Sequence, residues 1–208
     1  SEAWRSSPPS PVLSSAREMR RALDIGFTLD RRWRWMKGAV ERTKKEPLQA
    51  LARVLEKTRT PYAIIGGIAL QVRQEEPRTT LDIDVAVIDR DRIPRAELRA
   101  AGFRETGRHA HSENWIGPNE TPVQFTDDPA LREAVVAAES IAIGKTKLRI
   151  LRSVDLLHSK LRAATDGARR RSKRIQDFAD AQSLLERDPS LAASLTAEER
   201  ALLDRLPA

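Results

Sequence analysis

The sequence predicts a mixed α/β (α+β) fold, in which one mixed sheet has flanking helices and is followed by a helical C-terminal part. Three observations support this prediction. Apolar residues recur with helical spacing near both ends of the chain, short β-branched segments with a period of two lie in the middle, and glycine or proline separates many of these segments. The 208 residues, 40% of them hydrophobic, are enough to build a substantial core.

Composition divides the chain into four regions. Residues 1–15, rich in serine and proline, are expected to be a disordered leader or a non-native extension. Residues 16–60 are expected to form N-terminal helices, residues 61–150 the α/β core, and residues 151–208 a helical C-terminal region.

Two helices are predicted before the first strand. Residues 16–45 are interpreted as one helix because Leu29, Trp33, Met36 and Val40 recur every three or four positions. The segment EPLQALARVLEKT is interpreted as the second, with Pro47 near its first turn.

The central region alternates strands with short helices. YAII is a short apolar strand, IALQVRQ a helix, TTLDIDVAVI a strand, and RAELRAAGF a helix that ends at Gly102. FRETGRHAHSENWIG and TPVQFTDD are interpreted as two strands joined near residues 117–119, and KLRILRSV as a further strand.

The C-terminal region reads as three helices. VDLLHSKLRAAT is the first, and the Asp166–Gly167 pair ends it. LTAEERALLDRL is the last. Between them lies SKRIQDFADAQSLLER, whose predicted apolar side comprises Ile175, Phe178, Ala179, Gln182 and Leu185.

Charge is unevenly distributed along the chain. The net charge is +7 overall, +6 for residues 17–45, −6 for residues 75–139 and +9 for residues 145–174. Basic flanks around an acidic centre suit a polyanion that is bound beside a cation site, although arginine-rich helices can also be basic merely because they are solvated.

The cysteine count and the hydropathy bear on location. The chain has no cysteine, which excludes disulfides and thiolate metal sites and suits a reducing compartment. No apolar run approaches the roughly 18 residues that a membrane span needs, and the N-terminus lacks the apolar centre of a signal peptide. We therefore expect a cytoplasmic protein that has no membrane partner.

Two aspartates lie two positions apart in an otherwise apolar strand. Asp82 and Asp84 should share one strand face, about 7 Å apart, while Leu81, Ile83 and Val85 take the other. Such carboxylates are tolerated if they are solvated, if arginines pair with them, or if a divalent cation bridges them. Taken alone, the two aspartates favour the first interpretation, an edge strand whose carboxylates are solvated.

The two glycines that precede the acidic strand favour a ligand-binding site. Gly66 and Gly67 end one strand and begin a helix, which leaves bare backbone N–H groups where phosphate can bind. A phosphate-binding turn followed by an acidic, metal-binding strand makes a coherent nucleotide site.

The glycine pair and the R-x-T-x-D-I-D segment resemble the nucleotidyltransferase superfamily with the DNA polymerase β-like fold. The similarity is closest to the branch of the AbiEii toxins of bacterial abortive-infection and toxin–antitoxin systems. LRAAGF, SVDLLHSKLRAA and RSKRIQDFADAQSLL continue the resemblance, which covers residues 61–186. It implies a nucleotidyltransferase core in residues 61–150.

The resemblance also implies roles for particular residues. Asp82 and Asp84 would hold Mg²⁺ or Mn²⁺, Lys160 would neutralise phosphate charge, and Asp177 would orient a basic residue or the nucleotide. The residues expected to contact the nucleotide are Gly66, Gly67, Arg78, Thr80 and Lys160. The residues expected to contact RNA are Arg169, Arg170, Arg171, Lys173 and Arg174.

Two departures from the family pattern stand out. Gly67 replaces a common serine and offers only its N–H. Gln124 lies where the family commonly has a third carboxylate, and glutamine is neither a base nor a strong metal ligand. Asp127 and Asp128 follow closely, but turn chemistry is the favoured interpretation for both.

The resemblance implies transfer of a nucleoside monophosphate from an NTP to an acceptor hydroxyl, with RNA or tRNA as the favoured acceptor. A toxin of this kind would have a cognate antitoxin as a further partner. Two alternatives stay open. One is a transferase for a small molecule such as an antibiotic, or for a protein. The other is a non-catalytic relative that binds nucleotide or RNA, which Gln124 would favour.

Overall fold

The fold is described from a computed structural model, for residues 16–36, 43–74, 80 and 82–205. Residues 1–15, predicted to be a disordered leader, lie outside the described residues, and so do Arg78 and Leu81. The described chain forms a mixed sheet with flanking helices, which confirms the predicted fold class.

A seven-stranded sheet organises the molecule. Its order is β3-β4-β5-β2-β1-β7-β6. The strands are β1 (Tyr62–Ile65), β2 (Ile83–Val87), β3 (Arg104–Arg108), β4 (Ser112–Gly117), β5 (Thr121–Thr126), β6 (Glu139–Ile143) and β7 (Thr146–Ile150). The pairs β2–β5 and β1–β7 are parallel, and the other neighbours are antiparallel.

The helices cover the sheet. They are α1 (Ala16–Met36), α2 (Lys45–Lys57), α3 (Gly66–Arg73), α4 (Arg95–Ala100), α5 (Arg132–Val136), α6 (Ser153–Thr165), α7 (Arg171–Arg187) and α8 (Ala197–Leu203). Helix α3 is buried along most of its length, because it packs against α1, β1, β2 and α6. Helices α6 and α7 form an extensively packed pair.

The N-terminal helices differ from the prediction of one helix over residues 16–45. Helix α1 is described as far as Met36, and Thr43 and Lys44 lie outside helical structure before α2 begins. The buried side of α1 comprises Met19, Ala22, Leu23, Phe27 and Asp30. Leu29 of the expected row is partly exposed, and the side chains of its other members, Trp33, Met36 and Val40, lie outside what the structure describes.

The segment predicted as one strand over residues 103–117 is two strands. Strands β3 and β4 form an antiparallel hairpin, with residues 109–111 in the turn. The hairpin carries no glycine at its turn, so turn chemistry gave no signal there. Strand β6 and helix α5 were not predicted, because both are short apolar segments without a clear period.

The apolar side predicted for α7 is wrong. The buried residues of α7 are Asp177, Asp180, Ala181 and Leu184, whereas Ile175 is 60% exposed. The helix turns its two aspartates inward, and this orientation shapes the site described below.

Candidate functional site

A cleft of about 600 Å³ opens where β1 ends and α3 begins, and helices α6 and α7 form its opposite wall. It brings together most of the residues that the sequence singled out. These are Gly66, Gly67, Thr80, Asp82, Asp84, Gln124, Lys160, Arg169, Lys173 and Asp177.

The turn from β1 into α3 packs closely against the acidic strand. Gly66 has a φ of +62°, and a Cβ at this position would overlap the Asp84 carboxylate. A Cβ at Gly67 would approach Thr80 Oγ1 to 2.5 Å. Ile65, the N-cap residue, supplies no side-chain hydrogen bond to the first turn of α3, and that turn carries no acidic residue. The backbone N–H groups of this turn are therefore suited to bind an anion.

Asp84 is the β2 carboxylate that faces the Gly66 turn in the cleft. Burial, and then the neighbouring charge of Asp82, raise the pKa of Asp84 to about 6, although Lys160, Arg169 and Lys173 act in the opposite direction. Within the described residues no hydrogen bond to the Asp84 side chain is formed. Asp82 lies directly before β2 and is exposed. Such a pair favours a bound cation, because a cation offsets both the burial and the repulsion.

The residues present fit a divalent metal ion that also contacts a ligand. Six aspartates and four basic residues line the cleft, so its lining carries a net charge of −2. No cluster of three or more acidic or histidine side chains suited to hold a metal is found within the described part of the chain. Mg²⁺ is commonly held by one or two carboxylates together with water and substrate phosphates. Asp82 and Asp84 fit such a site.

Gln124 lies beside Asp84. Strand β5 pairs in parallel with β2, and Asp84 and Gln124 are register partners. The Gln124 amide donates to Asn114 Oδ1 on β4 at 3.2 Å. The position expected to hold a third carboxylate therefore does adjoin the aspartate pair, and it holds a neutral amide.

The two aspartates after β5 both pair with arginines. Asp127 pairs with Arg90 at 2.8 Å. Asp128 accepts a hydrogen bond from Ala130 N at 3.0 Å and pairs with Arg162 at 2.6 Å. The hydrogen bond from Ala130 is the turn contact favoured for Asp128, whereas the pairs with Arg90 and Arg162 join segments far apart in sequence.

A network of ion pairs joins α6 to α7 along the cleft. Lys160 Nζ lies 2.8 Å from Asp177 Oδ1 and 2.9 Å from Asp180 Oδ2. Asp177 Oδ2 accepts a hydrogen bond from Arg169 Nε at 2.6 Å. The side chains of Asp177 and Asp180 are 3% and 2% exposed. Burial of two carboxylates is sustained here because basic groups pair with them.

Several predicted residues lie elsewhere. Arg170, Arg171 and Arg174 do not line the cleft. Arg174 Nε donates to Ala164 O at 2.9 Å, so part of its role is to join the two helices. Arg78, expected to contact nucleotide, lies outside the described residues.

Two further residues, one in the cleft and one beside it, were not singled out from the sequence. Arg162 lines it, and Asn114 holds the Gln124 amide. Arg162 belongs to the SVDLLHSKLRAA segment, which assigned it no role, and the placement of Asn114 depends on the sheet order. Asp180, which lies in the RSKRIQDFADAQSLL segment three residues after Asp177, also lines the cleft.

A second cavity, of about 490 Å³, adjoins the cleft and shares Leu131, Ser159 and Arg162 with it. It lies between α5, α6 and α8. Its acidic lining residues are Glu133, Asp155, Glu198 and Glu199, and its basic ones are His158 and Arg162.

Comparison with solved structures finds similar folds at low sequence identity. JHP933 from Helicobacter pylori is 16% identical, with a TM-score of 0.50, and the match covers 76% of this chain and 69% of that chain. An antigenic nucleotidyltransferase-like protein from Paracoccidioides brasiliensis is 19% identical, with a TM-score of 0.47, and the match covers 72% and 90%. The Megavirus polyadenylate synthase is 14% identical, with a TM-score of 0.49, and the match covers 91% and 40%.

The class that the structure defines is a mixed α/β protein with a seven-stranded sheet and flanking helices, a fold that it shares with JHP933. No protein-family profile and no curated protein sequence matches the chain. No helix among the described residues has the length and apolar character needed to cross a membrane.

Proposed function

We propose that the chain is a metal-dependent nucleotidyltransferase, which moves a nucleoside monophosphate from an NTP to an acceptor hydroxyl. The observation that carries this proposal is the single cleft that joins the Gly66–Gly67 turn, the Asp82–Asp84 pair and the cations of α6 and α7. A phosphate-binding turn opposite a cation site is the arrangement that phosphoryl transfer requires.

Each group has a distinct part in the proposed reaction. The N–H groups at the start of α3 would bind terminal phosphates, and Asp82 and Asp84 would hold Mg²⁺ or Mn²⁺. The metal, when bound, supplies charge stabilisation at the phosphate oxygens. The acceptor hydroxyl loses its proton to water and its oxygen forms a bond to the α-phosphorus, the bond from that phosphorus to the bridging oxygen breaks, and pyrophosphate leaves.

RNA, and tRNA in particular, is the acceptor that we favour. The proposal is supported by the +9 charge of residues 145–174, part of which lies on the exposed start of α7 beside the cleft. The resemblance to AbiEii-like toxins extends the proposal to a toxin that is controlled by a cognate antitoxin.

A small cationic acceptor is the second candidate. The cavity that adjoins the cleft has four acidic and two basic lining residues, and an apolar wall formed by Leu131, Leu161 and Leu202. Such a pocket would attract an amine-bearing molecule. Gln124 supports a third candidate, a non-catalytic nucleotide- or RNA-binding protein, because the neighbouring strand offers no carboxylate base.

A transfer assay separates these candidates. The protein is incubated with each radiolabelled NTP and Mg²⁺, together with total tRNA or with a panel of amine-bearing small molecules. Label on tRNA that is lost in Asp82→Ala supports the favoured function, and label on a small molecule alone supports the second. Nucleotide binding without any transfer supports the third, and transfer that survives in Asp82→Ala excludes the aspartate pair as the metal site.

A further inference from the structure

We propose that Arg169 and Lys173 bind the triphosphate tail of the nucleotide, that Asp177 is the positioning residue for Arg169, and that Lys160 mainly joins α6 to α7. This assignment rests on the proposed nucleotide-binding function. It divides the basic segment at the start of α7 into an inner part for the nucleotide and an outer part for other anions.

Arg169 has the geometry of an oriented anion receptor. Its Nε donates to Asp177 Oδ2 at 2.6 Å, while its two Nη groups make no hydrogen bond within the described part of the chain. The side chain lines the cleft and is 42% exposed. Since guanidinium is planar, fixing the Nε edge also fixes the direction of the Nη edge, which can bind two phosphate oxygens.

Asp177 is itself held in place. Its side chain is 3% exposed, and its second oxygen accepts a hydrogen bond from Lys160 Nζ at 2.8 Å. Both oxygens therefore have a basic partner, which leaves the carboxylate no freedom to turn away from Arg169. Asp177 acts on the ligand only through Arg169.

Lys160 is less available for phosphate than Arg169 is. Its ammonium group lies within 2.9 Å of both Asp177 and Asp180, and its side chain is 13% exposed. Two of its three donors are directed at these buried carboxylates, which lie on the other helix. If a ligand bound the Lys160 ammonium group in place of these carboxylates, two buried negative charges would lose a basic partner, which would destabilise the protein.

Lys173 completes the inner group. It lies four residues after Arg169, lines the cleft, and forms no ion pair within the described residues. Lys173 and Arg169 both line the cleft that contains Asp82 and Asp84. A phosphate chain bound at Asp82 and Asp84 would have these cations beside it.

Arg170 and Arg171 provide matched controls, because both are exposed and neither lines the cleft. Binding of a non-hydrolysable NTP analogue, of the matching nucleoside and of inorganic triphosphate is measured by calorimetry with Mg²⁺. We expect Arg169→Gln to weaken NTP and triphosphate binding about 10- to 100-fold, as loss of hydrogen bonds to a charged group implies. Nucleoside binding should stay unchanged.

The other variants test the separate parts of the assignment. Lys173→Gln should weaken triphosphate binding several-fold. Arg169→Lys should keep part of the affinity that Arg169→Gln loses, because lysine retains the positive charge but cannot form two parallel hydrogen bonds to phosphate. Asp177→Asn should weaken triphosphate binding less than Arg169→Gln does. Its thermal unfolding is measured as well, since this change also affects the α6–α7 network. Arg170→Gln and Arg171→Gln should change the NTP affinity by less than about twofold.

The outcomes distinguish this inference from the proposed function. If wild-type protein binds NTP and Arg169→Gln binds it equally well, the inference is overturned and the proposed function stands. If Arg170→Gln loses as much affinity as Arg169→Gln, the division of the segment is overturned. If the wild-type protein binds inorganic triphosphate through Arg169 but binds no NTP more tightly than triphosphate, the proposed function is overturned and the role of Arg169 in anion binding stands. If the wild type binds neither NTP nor triphosphate, both proposals are overturned.

Discussion

At the scale of single residues, Gln124 sets the expected rate of the proposed reaction. It lies beside Asp84 across the β2–β5 pair, where a carboxylate could accept the proton of an acceptor hydroxyl. An amide cannot act as that base. Because general-base catalysis is typically worth about 10²–10⁴ in rate, we expect slow transfer by the wild type. Gln124→Asp should raise turnover within that range, as measured by label transfer with Mg²⁺ and total tRNA.

The matched control for this change is Gln124→Asn. Asparagine has the length of aspartate and lacks its charge, so it reproduces any loss of the hydrogen bond to Asn114. Gln124→Asn should not raise turnover. Rapid wild-type transfer that Gln124→Asp leaves unimproved would mean that the catalytic base lies elsewhere in the cleft.

Gly66 is the residue whose substitution should disturb the site most directly. Its φ is +62°, which already penalises an L-residue, and a Cβ here would overlap the carboxylate of Asp84. Gly66→Ala should therefore cost more than the roughly 1–2 kcal/mol of left-handed strain alone. It should also abolish Mg²⁺-dependent NTP binding, because Asp84 must move. Urea unfolding and nucleotide calorimetry measure the two effects.

Gly102→Ala separates backbone strain from the contact with Asp84. Gly102 has a φ of +88°, and among the described residues its Cβ would meet only Pro118, at 3.6 Å. This control should lose stability through strain and keep its nucleotide affinity. Equal nucleotide affinity in the two alanine variants would show that nucleotide binding does not depend on the observed position of Asp84.

The two halves of the candidate site were predictable because each lies within a short, regular segment. The period of a strand identified Asp82 and Asp84 together, and the order of strand, glycine and helix identified Gly66. The contact between Gln124 and Asp84 could be expected only from the resemblance, because no local pattern reveals that β2 and β5 are neighbours.

At the scale of elements, α7 shows where hydrophobic periodicity fails. The pattern assigned Ile175 and Phe178 to the buried side, whereas the structure buries Asp177 and Asp180. Carboxylates can replace apolar residues on a buried face when cations from a neighbouring helix pair with them. Here Lys160 of α6, and Arg169 of the turn between α6 and α7, supply those charges. A period computed from apolar residues alone cannot detect such a face.

Helix α8 depends on one carboxylate at its first turn. Glu199 accepts a hydrogen bond from Thr196 N at 2.9 Å in a capping box, and its other oxygen lies 2.7 Å from His158 Nδ1 on α6. Burial alone would raise the pKa of Glu199, but the hydrogen bonds from His158 and Thr196 outweigh it and hold the pKa below its usual value. The charged form is therefore the one that stabilises the attachment of α8 to α6.

The pH dependence of this attachment has a definite sign. A carboxyl group whose pKa is lowered by folding stabilises the protein above its unfolded-state pKa, and the contribution disappears as the pH falls through the folded-state pKa. Glu199→Gln keeps a capping-box side chain and removes the charge. It should lower the thermal midpoint above about pH 5 and match the wild type near pH 3, as measured by circular dichroism.

Glu198→Gln is the control, because Glu198 is exposed in the same turn and is not part of the capping box. It should leave the wild-type pH profile nearly unchanged. A Glu199→Gln variant whose deficit persists undiminished at pH 3 would show that the charge of Glu199 is not what attaches α8.

At the scale of the whole molecule, the fold class was predictable because strands and helices alternate along the middle of the chain. The order of the strands was not, since the parallel pairs β2–β5 and β1–β7 join segments that are far apart in sequence. Strand β6 lies at one edge of the sheet and pairs only with β7. Its sequence lacks the long apolar run of a central strand, and the strand was therefore not predicted.

The distribution of charge over the whole molecule leads to the last prediction, on RNA binding. If tRNA is the acceptor, its phosphates should contact the outer basic residues Arg170 and Arg171 beside the cleft, and each contact should release counterions. For single strands the slope of log affinity against log salt is roughly −0.7 per contact. Arg170→Gln combined with Arg171→Gln should therefore weaken tRNA binding and make the slope shallower by about 1.4, as measured by fluorescence anisotropy over a salt series.

Arg31→Gln combined with Arg32→Gln removes the same charge from an exposed part of α1 that does not line the cleft, and should change the slope less. Equal losses in the two double variants would indicate general attraction to a basic surface, and wild-type binding that is insensitive to salt would rule out the phosphate backbone as the main contact.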